Sequence, residues 1–449
     1  MDYLYLDSKY CSQGDTSSKH SPKKMFKRAK GSFLYDDNDI PYLDMQMFNS
    51  ASNFGYQNLL YIDALNHQYN TLPALAAEFM NENRIMLSKK ICEYMEKTYG
   101  EKGRVLFSVG GAQAVDDALK LSFNYTKNHG VICFEGSYHG RTMASSSISS
   151  SFRYVKQFGS VINTYRIPFP KCSMCPYDKS KEECSFYCIN RIKRLFDNEF
   201  FDFYYTKTQE PRYATFIFEP ILGRGGYVIP PDDYLKQVVN LFRSHKIVII
   251  SDEVQMGFYR TGKQWSFEHF NICPDMIVFG KAITNGIWPL SGVWAKEKFI
   301  SPDIWPTGST HCTFAGHPIG ARMGLETFKI TEDTNNQKLF NRGSANFKKA
   351  LSRINSKYPF ITRIQVKGHA AGIDFYNYDT KMALTEKVRY LTENALNKSV
   401  TVNNTQYRMI LTAGGFHNSS LLLSPNLFIS DEEINLFESL LCHYIDMSF

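Results

Sequence analysis

The chain has 449 residues with a formal charge of +7, long enough to bury a large core and to hold two or three domains. No apolar run approaches the roughly 18 residues of a membrane span, and the opening MDYLYLDSKY has neither the basic nor the apolar region of a secretory leader, so a cytoplasmic protein is expected. Ten cysteines without such a leader argue for reduced thiols, and the modest, scattered charge argues against a nucleic-acid or membrane role.

Residues 1–30 are polar and unpatterned, with one basic cluster at Ser18–Lys30, and read as a mobile arm that is ordered only where it packs on a partner subunit. Gly31–Met45 then alternates apolar and polar residues around a DDND turn, which predicts a hairpin. Gly103–Phe123 (GRVLFSVGGAQAVDDALKLSF) predicts a strand, a glycine turn and a helix that buries Val115, Ala118, Leu119 and Phe123 on one face. Free N–H groups and the helix dipole favour a phosphate at such a helix start. Gly110, Gly111 and Ala112 are therefore a candidate cradle, the alternative being a plain tight turn.

Val131–Thr142 (VICFEGSYHGRT) is a second buried strand ending in a glycine-rich turn, and Ala214–Pro231 holds a third that ends at Glu219. Between them lies KCSMCPYDKSKEECSFYC, Lys171–Cys188, where Cys172, Cys175, Cys184 and Cys188 form a C-x2-C-x8-C-x3-C array. Four thiolates in one loop suit a structural zinc or an iron–sulfur site; reduced, unliganded thiols are the alternative, and neither puts the loop in the chemistry.

The most informative stretch is Lys246–Gly286, with two apolar runs, Ile247–Ile250 and Met276–Phe279, each followed by polar residues as buried parallel strands are. The first delivers Asp252 and the second Lys281, and open α/β sheets bind ligands beyond the carboxyl ends of their strands. An amine that can form a Schiff base and a carboxylate that can keep a pyridine nitrogen protonated suit pyridoxal 5′-phosphate. A solvated loop pair is the plain alternative.

SDEVQMGFYRTG followed by FGKAITNG resembles the signature of the class III aminotransferases, pyridoxal-phosphate enzymes of fold type I, and the likeness runs from about Gly31 to the C-terminus. It implies an α/β fold: a large domain with a mostly parallel sheet of the seven-stranded type, plus a small α+β domain built from both chain ends. The corresponding division is 1–30 arm, 31–60 N-terminal part of the small domain, 61–310 cofactor domain and 311–449 C-terminal part. By the same resemblance Lys281 joins the cofactor, Asp252 pairs with its ring nitrogen, Val254 packs on the ring, Gln255 reaches the ring hydroxyl and Tyr138 stacks on the ring. Thr313, in THCTFAGHPIGA, bonds the cofactor phosphate of the neighbouring subunit, which implies a homodimer with a shared active site. Phe48–Asn58 lines the substrate side, and Arg141 grips a substrate carboxylate, with an ion pair to an acid as its structural alternative. No metal ligand is implied.

Several positions depart from the pattern. Tyr56 stands where many members have histidine, Gly110 and Gln113 where a hydroxyl and a carboxylate are usual, and Leu222 and Arg224 where polar and acidic residues follow the Glu219–Pro220 pair. In some members that glutamate masks or releases an arginine that binds 2-oxoglutarate; alignment on Pro425 puts Leu422 at the arginine's position. The implied activity is transfer of an amino group from an amine or ω-amino acid donor to a carbonyl acceptor, with 2-oxoglutarate poorer than pyruvate or an aldehyde. Racemases or epimerases and lyases share the scaffold, and a non-catalytic interaction protein would need neither Lys281 nor Asp252.

Overall fold

The apolar runs Val131–Phe134, Thr215–Phe218, Val248–Asp252 and Met276–Phe279 are buried at every position, a pattern that needs a sheet covered on both faces. In the computed structural model, which describes residues 2–15, 23–180, 182–197, 203–205, 210–377 and 379–449, they lie in a seven-stranded sheet. Its order is Gly103–Ser108, Ser291–Lys296, Met276–Phe279, Val248–Asp252, Thr215–Phe218, Val131–Phe134 and Thr164–Ile167, and only Ser291–Lys296 runs against its neighbours. Alternate side chains serve opposite faces. Ile249, Ile277 and Phe279 pack with Phe242 and Trp265, while Val248, Ile250, Met276 and Val278 pack with Val115, Ala118 and Leu119 of helix Gly111–Thr126. This is the mostly parallel α/β sheet that the sequence predicts.

The two chain ends meet in a second sheet. The predicted hairpin forms as Phe33–Tyr35 and Pro41–Asp44, its turn closed by Asp36 Oδ1, which accepts from the N–H groups of Asn38 and Ile40. Pro41–Asp44 then pairs in parallel with Thr405–Ile410, so Leu43 and Met45 share a core with Phe347, Ile373, Met409 and Phe437. A four-stranded sheet of Ile361–Lys367, Ala370–Phe375, Ser420–Leu423 and Thr412–Gly414 completes this α+β part.

The structure departs from the sequence reading in three places. The first thirty residues are not unpatterned: Tyr3–Tyr10 is a helix capped by Asp2, and Arg28–Lys30 adds a strand to the hairpin by backbone pairing, which its charged side chains do not advertise. Ser18–Pro22 of the basic cluster and Lys181 of the cysteine loop lie outside the described residues. Helix Pro318–Glu332, grouped by sequence with the C-terminal part, packs instead on Leu59–Thr71, Glu82–Tyr99 and the turn after Lys281, because Ile319 and Met323 meet Phe54 and Tyr61 while Ala321 and Phe328 join the core of the large sheet. Among the described residues no group of three or more His, Cys, Asp or Glu side chains is arranged to hold a metal ion, so the zinc or iron–sulfur alternative for the cysteine loop finds no such set. No disulfide joins any of the described cysteines, and burial, then Cys184 and Cys172 nearby, push the Cys188 thiol up to about 11. No described helix is long and apolar enough to cross a membrane.

Candidate active site

Strands Val248–Asp252 and Met276–Phe279 are parallel neighbours with Asp252 opposite Val278, so Asp252 and Lys281 leave the same edge of the sheet. Asp252 is buried; its Oδ1 accepts the Val254 N–H at 3.1 Å and its Oδ2 lies 2.7 Å from His139 Nδ1. The imidazole, itself buried, comes from the turn after strand Val131–Phe134, which is held in place by the His139 backbone N–H donating to Ser149 Oγ at 2.9 Å. Sequence reasoning passed over His139; its only signal was its place between Tyr138 and Gly140 at a strand end. Lys281 follows Gly280 with φ 45°, a left-handed backbone rare for a side-chain-bearing residue, and such strain costs on the order of 1–3 kcal/mol. Burial lowers its pKa against the opposing pull of Asp252 and Glu219.

Helix Gly111–Thr126 begins without a side-chain cap, leaving its first N–H groups to whatever occupies the space before it. A Cβ on Gly110 would meet nothing within 4 Å, whereas one on Gly111 would lie 2.9 Å from Val254 Cγ1. Gly140, at φ 132°, admits no side chain either, since its Cβ would lie 2.5 Å from that of Ala112. The Gly111 backbone and the Val254 side chain are thereby in close contact, with open space beside Gly110. Gln113 turns away and accepts the Val109 N–H through Oε1 at 3.2 Å.

Glu219 is buried at the end of its strand and accepts from the N–H groups of Tyr138 at 2.8 Å and Gly223 at 2.9 Å. Burial pushes it up to about 7, and among the described residues no arginine pairs with it. Leu422 is buried in the core, where a Cβ on Gly414 would lie 2.5 Å from its Cδ1. Gln255 Nε2 donates to the Tyr227 hydroxyl at 2.9 Å, which lies 3.2 Å from Ser50 Oγ. Ser50 closes a left-handed turn, Met47–Ser50, held by buried Asp44, whose Oδ1 accepts from the Gln46 and Met47 N–H groups and whose Oδ2 takes the Tyr56 hydroxyl at 2.7 Å. Arg141 is exposed over the Tyr154 ring at 4.5 Å, and no acid pairs with it among the described residues. Thr313 is in an exposed turn before helix Pro318–Glu332, and no contact within the described chain ties it to Lys281.

This geometry fits a phosphate at an uncapped helix start, an aromatic nitrogen base against a buried carboxylate, and an aldehyde within reach of an amine. The family model for aminotransferase class-III matches residues 15–445. The chain belongs to that family. A leucine/methionine racemase of Thermococcus litoralis is 27% identical over 91% of this chain and 87% of its own. A probable 4-aminobutyrate aminotransferase of Bacillus subtilis is 29% identical over 91% and 89%. The solved structure of an aminotransferase from Vibrio fluvialis in its PMP-bound form superposes with a TM-score of 0.87 at 20% identity, covering 100% of this chain and 98% of that one. As a class-III aminotransferase the enzyme is a transaminase, and its cofactor is pyridoxal 5′-phosphate.

Proposed function

We propose that the enzyme takes the amino group of a donor with an anionic far end and passes it to a carbonyl acceptor, with Lys281 as proton carrier and Asp252 as partner of the cofactor's ring nitrogen. The observation that supports this most is the pair itself: two side chains from the ends of neighbouring parallel strands, one a buried carboxylate bonded by His139, the other an amine on a strained turn. Pyridoxal phosphate supplies an aldehyde that joins the substrate nitrogen and a protonated ring that draws electrons from the amine-bearing carbon. Gly110, Gly111 and Ala112 offer their N–H groups to its phosphate, while Val254, Tyr138 and Gln255 face its ring and ring hydroxyl. The Lys281 Nζ takes the proton from the substrate's amine-bearing carbon, and burial, by lowering its pKa, keeps more of it in the neutral form a base requires. Glu219 holds Tyr138 and the Gly223 turn in place, and Arg141 takes the substrate's negative charge.

We further infer a cytoplasmic homodimer that shares its active sites. Phe79, Met80 and Phe314 are 62%, 84% and 59% exposed. They form one area, because Asn81 Nδ2 donates to the Gly316 carbonyl at 3.2 Å and so joins the two segments, with Thr313 beside them. A second copy of the chain is the occupant this reading assigns to the area, and light scattering should return twice the chain mass.

Borohydride reduction and peptide mapping test the central assignment: the pyridoxyl group should be found on Lys281 and nowhere else. Asp252→Ala should retain that adduct but lose most turnover, and wild-type turnover in this variant would end the role given to Asp252. The racemase likeness and the leucine at 422 favour a second reading, in which the amino acid is returned with inverted configuration. Chiral analysis of product, with assay for a carbonyl compound, separates the two.

A further inference from the structure

The segment Ser137–Tyr154 folds back on itself around helix Met143–Ile148. The Ser150 N–H donates to the Ser137 carbonyl and the His139 N–H to Ser149 Oγ, both at 2.9 Å. This fold-back gathers two arginines on one ring. The guanidinium carbons of Arg141 and Arg153 lie 4.5 and 4.9 Å from the Tyr154 centroid, and Arg153 Nη2 donates to the Tyr154 hydroxyl at 3.1 Å. Tyr154 is buried and meets Tyr138 edge-on at 5.5 Å, so the arginines stand one ring away from the aromatic assigned to the cofactor. A third, Arg224, half-buried, donates to the Ala413 carbonyl and follows Gly223, whose N–H shares the Glu219 carboxylate with the N–H of Tyr138.

Among the described residues no carboxylate lies within ion-pair distance of any of the three. Cation–π contact at an exposed site is a weak attraction that does not neutralise the charge. Guanidinium groups gathered so closely repel one another, and an anion removes that repulsion. One carboxylate is matched by a single guanidinium fork, so a cluster of three has capacity left over, while a phosphate or a carboxylate pair has the acceptor oxygens to use it.

We infer that Arg141, Arg153 and Arg224 form one grip for a substrate head bearing two negative charges, either a phosphate monoester or a pair of carboxylates. The inference rests on the reading of Lys281 and Tyr138 above and names the class of substrate that site takes. It also revises the expectation drawn from Leu422: Arg141 does not stand alone, and a dicarboxylate no longer depends on an arginine at 422.

The test uses the holoenzyme with Arg153→Gln, an exposed substitution, and Arg153→Lys, which keeps the charge without the fork. One arm measures binding of ethyl phosphate, succinate and butyrate by calorimetry. The other follows the single-turnover reaction of 2-aminoethyl phosphate, glutamate and butylamine. In Arg153→Gln the kcat/KM ratio of the preferred dianionic donor to butylamine should fall about 10- to 100-fold, the loss of a charged hydrogen bond, with Arg153→Lys recovering part of it. Ethyl phosphate or succinate should lose affinity in step, and whichever responds identifies the head group. Butyrate binding as tightly as both dianions, or ratios and affinities unchanged in Arg153→Gln, would overturn the grip. If no donor reacts while dianion binding still falls in the variant, the grip stands and the role of Lys281 falls.

Discussion

Replacing His139 probes the site where the structure adds most to the sequence. Its Nδ1–H is 2.7 Å from Asp252 Oδ2 and both side chains are buried, so the contact is a charge-assisted hydrogen bond that water cannot replace. Such bonds are worth about 1.5–3 kcal/mol. If the bond serves to hold the Asp252 carboxylate toward the cofactor's ring nitrogen, losing it should cost about 10- to 100-fold in the rate of the first half-reaction. His139→Phe keeps a ring and removes the donor. His139→Asn keeps a donor close to the position of Nδ1 and should retain several-fold more activity than the phenylalanine variant. Single-turnover absorbance with saturating donor reads the rate, and urea midpoints for both variants show whether the loss is merely one of folding. A His139→Phe enzyme that reacts as fast as wild type, or a His139→Asn enzyme no better than His139→Phe, would show that the imidazole does not act through Asp252.

Gly140→Ala should destabilise the protein and weaken cofactor binding together, because its Cβ would press on Ala112 at 2.5 Å and on Ser145 Oγ at 2.6 Å from a backbone at φ 132°; equilibrium dialysis with pyridoxal phosphate reads the second effect, and unchanged affinity would place the phosphate away from the Gly110–Ala112 turn. Glu219 and Glu253 are both pushed up to about 7 by burial. A folded carboxyl raised above its unfolded value of 4.5 holds its proton longer than the unfolded chain does, so its contribution is full below about 4.5 and is lost as pH rises towards 7, with a slope of at most about 1.4 kcal/mol per pH unit. Glu219→Gln should remove one such share while Glu253 keeps the other, so urea midpoints from pH 5 to 8 should fall less steeply in the variant; parallel curves would mean that Glu219 does not titrate there.

The parts of this molecule that were legible in its sequence are those where one segment carries its own evidence. Ile247–Ile250 and Met276–Phe279 are short, apolar and stopped by polar residues, so both their burial and the exposure of chemistry at their ends follow from local pattern. The uncapped helix start is likewise local, a glycine pair ahead of an amphipathic helix. Strand Arg28–Lys30 has no such pattern, since its pairing with Phe33–Tyr35 uses only backbone groups. Helix Pro318–Glu332 shows that it has an apolar face but not which core that face covers. His139 belongs with these. Its role depends on strand order, because Val131–Phe134 reaches Val248–Asp252 only across Thr215–Phe218, and no spacing along the chain records that arrangement.

Leucine at 422 shows the same limit from the other side. Read along the chain, it is the loss of a cation from a motif, and the inference that dicarboxylates are poorly held follows if cations can come only from that motif. In three dimensions Leu422 has been absorbed into the core, packed by Gly414, and the charge proposed above comes from other segments of the chain. Arg224 stands in the turn after Glu219, and Arg153 is carried in by the fold-back that also sets His139 against Asp252. The hydrogen bond from the His139 backbone N–H to Ser149 Oγ thus links two parts of the molecule, since it anchors the turn that carries the imidazole to Asp252 and closes the bend that brings Arg153 to Tyr154. A substitution at Ser149 that removes this acceptor should disturb both. Ser149→Ala should slow the half-reaction with butylamine, through His139, and lower the preference for a dianionic donor over butylamine, through Arg153. If only one of the two changes, the fold-back is not a shared support, and the arginine cluster is held by its contacts with Tyr154 alone.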